Sequence, residues 1–195
     1  MNLLCDVSMF QSNHICFLDT KKNMVIDGFF TKIIYSDSYV SLNGLYILCP
    51  LESLSIPVFP IASSNGQYSH RFAGISSGSA NYTRNHVVST YQENGQTIIT
   101  KKHIFMFSLT NPTNIHFVKE LNRIEHEIIE FYKDFFKINK VNVYSLRNQL
   151  KSGNIKVIQR IESDERSKSP SSLVIKISGI WETEINVGIT FKFQM

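Results

Sequence analysis

Residues 115–138, IHFVKELNRIEHEIIEFYKDFFKI, constrain the fold of this chain more than any other stretch. Phe117, Leu121, Ile124, Ile128, Phe131, Phe135 and Ile138 recur three or four residues apart and line one face of a helix. Val118, Ile129, Tyr132 and Phe136 widen that stripe. Lys119, Arg123, Glu127, Glu130, Asp134 and Lys137 fall on the other side. Arg123 and Glu127 stand four apart, a spacing that favours an ion pair. Asn111-Pro112-Thr113-Asn114 supplies a breaker and N-cap oxygens. An apolar face this wide has to lie on something, and the flanking segments read as strands. The expectation is one helix packed on a sheet.

The strand signals are alternation and β-branched or aromatic content. They predict strands over Ile15 to Leu18, Phe29 to Tyr35, Tyr39 to Cys49, Ile104 to Leu109, Lys140 to Tyr144, Asn154 to Ile161, Leu173 to Ile180 and Val187 to Phe193. Asn43-Gly44 marks a tight turn or a bulge within the third of these. His86 to Tyr91 and Thr97 to Thr100 flank Asn94-Gly95, the clearest hairpin signal in the chain. Leu54 to Phe59 contains Pro57 and suits an edge strand. Ser145 to Leu150 reads as a helical turn. Residues 62–82 are rich in Ser, Gly and Asn and predict a long loop; residues 162–171 predict an exposed polar loop.

No repeat occurs and no domain linker precedes residue 162, so residues 1–195 are expected to form a single domain. Strands, one long helix, then further strands make a mainly β or α+β layout, not an alternating one. The fold expected first is an antiparallel barrel of the oligonucleotide-binding type with one long amphipathic helix packed on it. A β-sandwich with an inserted helix is the alternative.

Enzymatic signatures are missing. The sequence has no GxxxxGK[ST], no HExxH and no CxxC, and Gly74 to Gly78, which spells GxSxG, lies in the Ser/Gly-rich stretch without a strand before it and a helix after it. A zinc site would need tertiary approach of His70, His86 and His103, and acidic pairs such as Glu182 with Glu184, two apart, are common as surface carboxylates. The expectation is a non-catalytic protein with no cofactor and no metal. Three cysteines, Cys5, Cys16 and Cys49, show no paired spacing. That argues for a reducing compartment, and the N-terminus carries no secretory pattern, so cytoplasm or nucleus is expected. No apolar run reaches the ~20 residues that span a bilayer, so no membrane partner is expected.

Charge points to a partner class. Residues 1–136 hold 10 Lys/Arg against 11 Asp/Glu, whereas residues 137–195 hold 10 against 5. A polyanion would therefore meet the C-terminal third. Basic residues interleave with rings, as single-strand binders require. The candidate contacts are Tyr68, Arg71, Phe72, Tyr82 and Arg84 near the long loop and Lys101 and Lys102 near the hairpin. Arg147, Lys151, Lys156, Trp181 and Lys192 complete the set toward the C-terminus. Alternation sets Lys192 opposite Phe191 and Phe193, so rings in the core put that lysine in solvent. Trp181, the sole tryptophan, stands at a strand end as a stacking platform or as a cap on the core. The expected function is a single-stranded DNA- or RNA-binding accessory protein. The alternative is a structural or protein-interaction module that self-associates and binds no nucleic acid.

The stretches LNRIEHEIIEFYKDFF, YSLRNQLKSGNIKV, LVIKISGIWETEINVGITFKF and FFTKIIYSDSYVSLNGLYI cover residues 121–136, 144–157, 173–193 and 29–47. Their phrasing resembles a poorly characterised protein family of large DNA viruses and related uncultured virus genomes. The resemblance implies a viral origin, action in the host cell, and a role in genome handling or a small structural role. It singles out Lys32, Tyr35, Asn43, Gly44, Lys151, Gly153, Lys156, Trp181 and Lys192. It brings no catalytic residue. The chain lacks the acidic C-terminal tail of many replicative single-strand binders, which argues against a central replisome role.

Overall fold

The computed structural model describes residues 4–38, 41–53, 59–61, 69–71, 87–93, 96–161 and 172–195. The elements are β1 (Ile15–Lys22), β2 (Phe29–Ser36), β3 (Ser41–Leu42), β4 (Leu45–Leu48), β5 (Phe59–Ile61), β6 (Ser69–Arg71), β7 (Val87–Glu93), β8 (Gln96–Met106), α1 (Pro112–Phe136), β9 (Val141–Val143), α2 (Ser145–Leu150), β10 (Asn154–Ile161), β11 (Val174–Glu182) and β12 (Asn186–Gln194). Two short 3₁₀ turns precede β1. The loops expected over 62–82 and 162–171 lie outside the described residues, except for 69–71, which form β6. So do residues 54–58 of the expected edge strand.

Ten strands form one sheet in the order β1-β2-β11-β12-β10-β8-β7. On one edge of β11, β2 and β4 pair in succession, and β3 pairs with β2. On the far edge of β12, β9 and β10 do the same, both parallel to it. The expected hairpin is present as β7–β8, with Glu93 opposite Gln96; Asn94 and Gly95 lie outside the described residues. The strand expected over Ile104 to Leu109 is the continuation of β8.

The expected barrel of oligonucleotide-binding type is not the fold. A barrel needs its first and last strands to pair, and here β1 and β7 end an open path. The sheet is also mixed, not antiparallel, because the chain crosses over through α1 and α2 before re-entering beside β12. The sandwich alternative fails as well, because the layer on the core face is α1. Its buried face holds Phe117, Leu121, Ile124, Ile128, Ile129 and Tyr132 in one cluster with Ile33, Leu45, Ile47, Ile175, Ile177 and Phe193 of the sheet. The space that barrel closure would give to an opposing wall is filled by helix. The architecture is α+β with limited helix.

Local chemistry sets the bounds of α1. Asn111 Oδ1 accepts from the Thr113 and Asn114 backbone N–H groups at 2.8 and 3.3 Å, and Pro112 occupies a first-turn position whose N–H has no helical partner anyway. The helix ends where Lys137 turns left-handed, at φ 54°, before the expected limit at Ile138. Arg123 bridges Glu120 and Glu127 at 3.0 and 2.7 Å. In the core the Thr31 hydroxyl joins the Tyr132 hydroxyl at 3.0 Å, and toward the surface it joins that of exposed Thr20 at 2.7 Å, so helix and sheet share a polar pin.

Gly44 links β3 to β4 at φ 101°. A Cβ there would sit 2.7 Å from the Ile177 carbonyl oxygen. Gly44→Ala is expected to cost on the order of 1–2 kcal/mol, read as a lower denaturant midpoint at unchanged slope. An unchanged midpoint would show that the turn relaxes freely.

Candidate nucleic-acid interface

With α1 on one face, strand alternation gives the other face to solvent. Its residues follow from the register. On β11 they are Val174, Lys176, Gly179 and Trp181, which pair with Gln194, Lys192, Thr190 and Gly188 of β12. Tyr46 pairs with Lys176 from the other side, and Phe30 and Lys32 pair with Trp181 and Gly179. Ile104 lies opposite Lys156. The parallel register Val157↔Phe193 places Lys156 and Lys192, one residue earlier on each strand, side by side.

One row therefore crosses the sheet as Tyr46, Lys176, Lys192, Lys156 and Ile104. Its three lysines stand on adjacent strands, about 4.8 Å apart. Like charges directly opposite one another destabilise a sheet, and among the described residues no carboxylate forms an ion pair with these. The ion pairs among the described residues join Arg123 to Glu120 and Glu127, Lys133 to Glu130, and Lys140 to Glu182. The Lys176 ammonium instead lies 4.8 Å from the centre of the Tyr46 ring. Lys21, Lys32 and Lys102 extend the same face, and Lys32, Lys102, Lys156 and Lys192 are exposed.

Two rings besides Tyr46 occupy the same face. Trp181 lies against the backbone at Gly188, where a Cβ would come within 2.7 Å of its Cζ2. Its Nε1 donates to the Ile189 carbonyl at 3.2 Å. Phe30 lies likewise against Gly179. Glycine at both points lets a ring approach the strand closely. The indole is pinned yet half-buried, so it caps the outer face of the sheet and not the core.

The expected contacts divide accordingly. Lys102, Lys156, Lys192 and Trp181 converge on the open face. Arg147 does not join them: it sits on α2 with its guanidinium 4.4 Å from the Tyr144 ring centre. Lys151 is exposed at the end of α2. Arg71 and Lys101 lie on β6 and β8. Tyr68, Phe72, Tyr82 and Arg84 are outside the described residues. Composition alone left out Lys21, Lys176, Phe30 and Tyr46, and Lys32 entered only through the resemblance. The signal that finds Lys176 is a repeated triplet, Ile155-Lys156-Val157, Ile175-Lys176-Ile177 and Phe191-Lys192-Phe193. Each has a lysine between two core-facing residues.

Other chemistry is less developed. Burial raises the Cys5 thiol and pushes that of Cys49 up to about 12, the reverse of an activated nucleophile. Among the described residues no group of three or more His, Cys, Asp or Glu is placed to hold a metal ion, and no helix is long and apolar enough to cross a membrane. At the C-terminal end of α1, the Phe17 ring touches Phe131, Tyr132, Phe135 and Phe136 at 5.2–5.7 Å. Phe135 remains 61% exposed and Phe136 38%. No family model matches the chain, and no curated protein or solved structure matches it either.

Proposed function

We propose that this protein is a non-catalytic accessory protein that binds single-stranded nucleic acid on the open face of its sheet. The observation that carries this reading is the row Lys176, Lys192 and Lys156, three like charges on adjacent strands with no carboxylate partner among the described residues. A phosphate backbone lying along the row offsets their repulsion and releases counterions. Phe30 and Trp181 supply flat apolar rings on the same face, and unpaired bases stack on such rings while paired ones are hidden in a duplex. The resemblance to a viral family fits a part in handling a genome.

Trp181 is the sole tryptophan, so its fluorescence reports on the proposed face directly. Titration with single-stranded oligonucleotides is expected to quench it, duplex of the same length to quench it less. If all six lysines meet phosphates, log K should fall with log salt at a slope of about −4, from about −0.7 per phosphate. Neither quenching nor an anisotropy change at low salt would overturn the proposal.

The exposed rings of Phe135 and Phe136 favour a second reading, self-association through the end of α1. It predicts a mass that rises with protein concentration in sedimentation, independent of nucleic acid. A monomer at all concentrations would remove it.

A further inference from the structure

The geometry points to a nucleobase subsite at the β8–β10 end of the lysine row, one that prefers adenine or cytosine to thymine or uracil. This inference rests on the single-strand reading above and deepens it. Lys156 and Ile104, the last two members of the row, also line an open depression of ≈ 390 Å³, together with Gln149, Ser152, Asn154 and Ile155. A strand held by the row is thus delivered to the depression. Ile104 is 57% exposed and offers an apolar wall for the flat face of a base.

The polar groups set the preference. Asn154 Nδ2 donates to the Ser152 carbonyl oxygen at 2.9 Å. That carbonyl can only accept, so the orientation of the Asn154 amide is fixed and its Oδ1 is left as a fixed acceptor. The Ser152 hydroxyl is already engaged, by the Gln149 and Asn154 carbonyls at 2.7 and 3.0 Å and by the Asn154 N–H at 3.2 Å. It frames the pocket and reads nothing. The Gln149 side-chain amide has no partner among the described residues, so it offers one donor group and one acceptor. Two acceptors beside one donor match an exocyclic amino group next to a ring nitrogen. Adenine and cytosine carry that pattern; thymine and uracil present an oxygen where the amino group would be.

The test is fluorescence anisotropy of the full chain with labelled oligo-dA, oligo-dC and oligo-dT of one length, at matched salt. Oligo-dA and oligo-dC are expected to bind roughly 5- to 10-fold tighter, the worth of about one good hydrogen bond. Gln149→Ala should reduce that preference to less than about twofold while leaving the salt slope unchanged, because the amide carries no charge. Ile104→Ser should weaken all three, with circular dichroism confirming that both variants fold. Equal binding of the three oligonucleotides with the salt slope intact would overturn the subsite and leave the single-strand reading standing. A preference that survives Gln149→Ala would also overturn the subsite. No binding of any of them would overturn both.

Discussion

The triple variant Lys156→Glu, Lys176→Glu, Lys192→Glu should bind single strands about 100-fold more weakly than the parent at ~0.1 M salt. The figure follows from counterion release. Each lost phosphate contact removes about 0.7 from the salt slope, a factor of about five at that concentration, and three are lost together. The slope itself should shrink by about 2. Stability should move by less than about 1 kcal/mol, because the row is solvated on a sheet face and stays a row of like charges. Arg147→Gln is the control that separates this site from a general basic surface. Arg147 belongs to the C-terminal charge excess but lies on α2 with its guanidinium on the Tyr144 ring, not on a strand of the row. Its replacement should change affinity by no more than about twofold. If Arg147→Gln weakens binding as much as the triple variant does, the row is not the site.

How far these features could be read from sequence depends on the range of the interactions that set them. Strand and helix positions follow from local periodicity, so α1, the β7–β8 hairpin, α2 and the last two strands stand close to where alternation and capping place them. The Asn111 cap is local too. Strand partners are not. Nothing in Asn154 to Ile161 says that it will run parallel to β12 with β9 ahead of it on the same edge. That choice keeps the sheet open, because α1 needs one whole face for its wide apolar stripe. The site was legible to the same extent. Each lysine is visibly opposite two core residues, but the register that sets Lys176 beside Lys192, and Lys192 beside Lys156, is tertiary. Trp181 was ambiguous for the same reason: only its pairing with Gly188 and Phe30 fixes which face it occupies.

Glu125→Ala is expected to cost about 2–4 kcal/mol, the largest loss from any single truncation proposed for this fold. Glu125 is fully buried on α1. Its two carboxylate oxygens accept from the Leu146 and Arg147 backbone N–H groups, each at 2.9 Å. Those N–H groups open α2, whose own N-cap, Tyr144, provides no side-chain bond. The cap of α2 therefore comes from another helix, and truncation leaves two donors unpaired beside the buried Leu146. Burial raises the Glu125 carboxyl above its ordinary value of 4.5, against the lowering effect of both hydrogen bonds. The folded state then holds the proton more tightly than the unfolded chain. This contribution to stability is complete below 4.5 and is lost as pH rises through the raised folded value. Glu125→Gln, neutral throughout and keeping one acceptor, should lose that decline and melt between the parent and Glu125→Ala. Urea unfolding of the three proteins at several pH values checks both points. A Glu125→Ala variant within about 1 kcal/mol of the parent would show that water caps α2 as well as the carboxylate does. The same cap bears on the interface, because α2 holds Gln149 and leads through Gly153 into β10. Loosening it should blunt base preference before it affects the salt slope, which belongs to lysines anchored on the sheet.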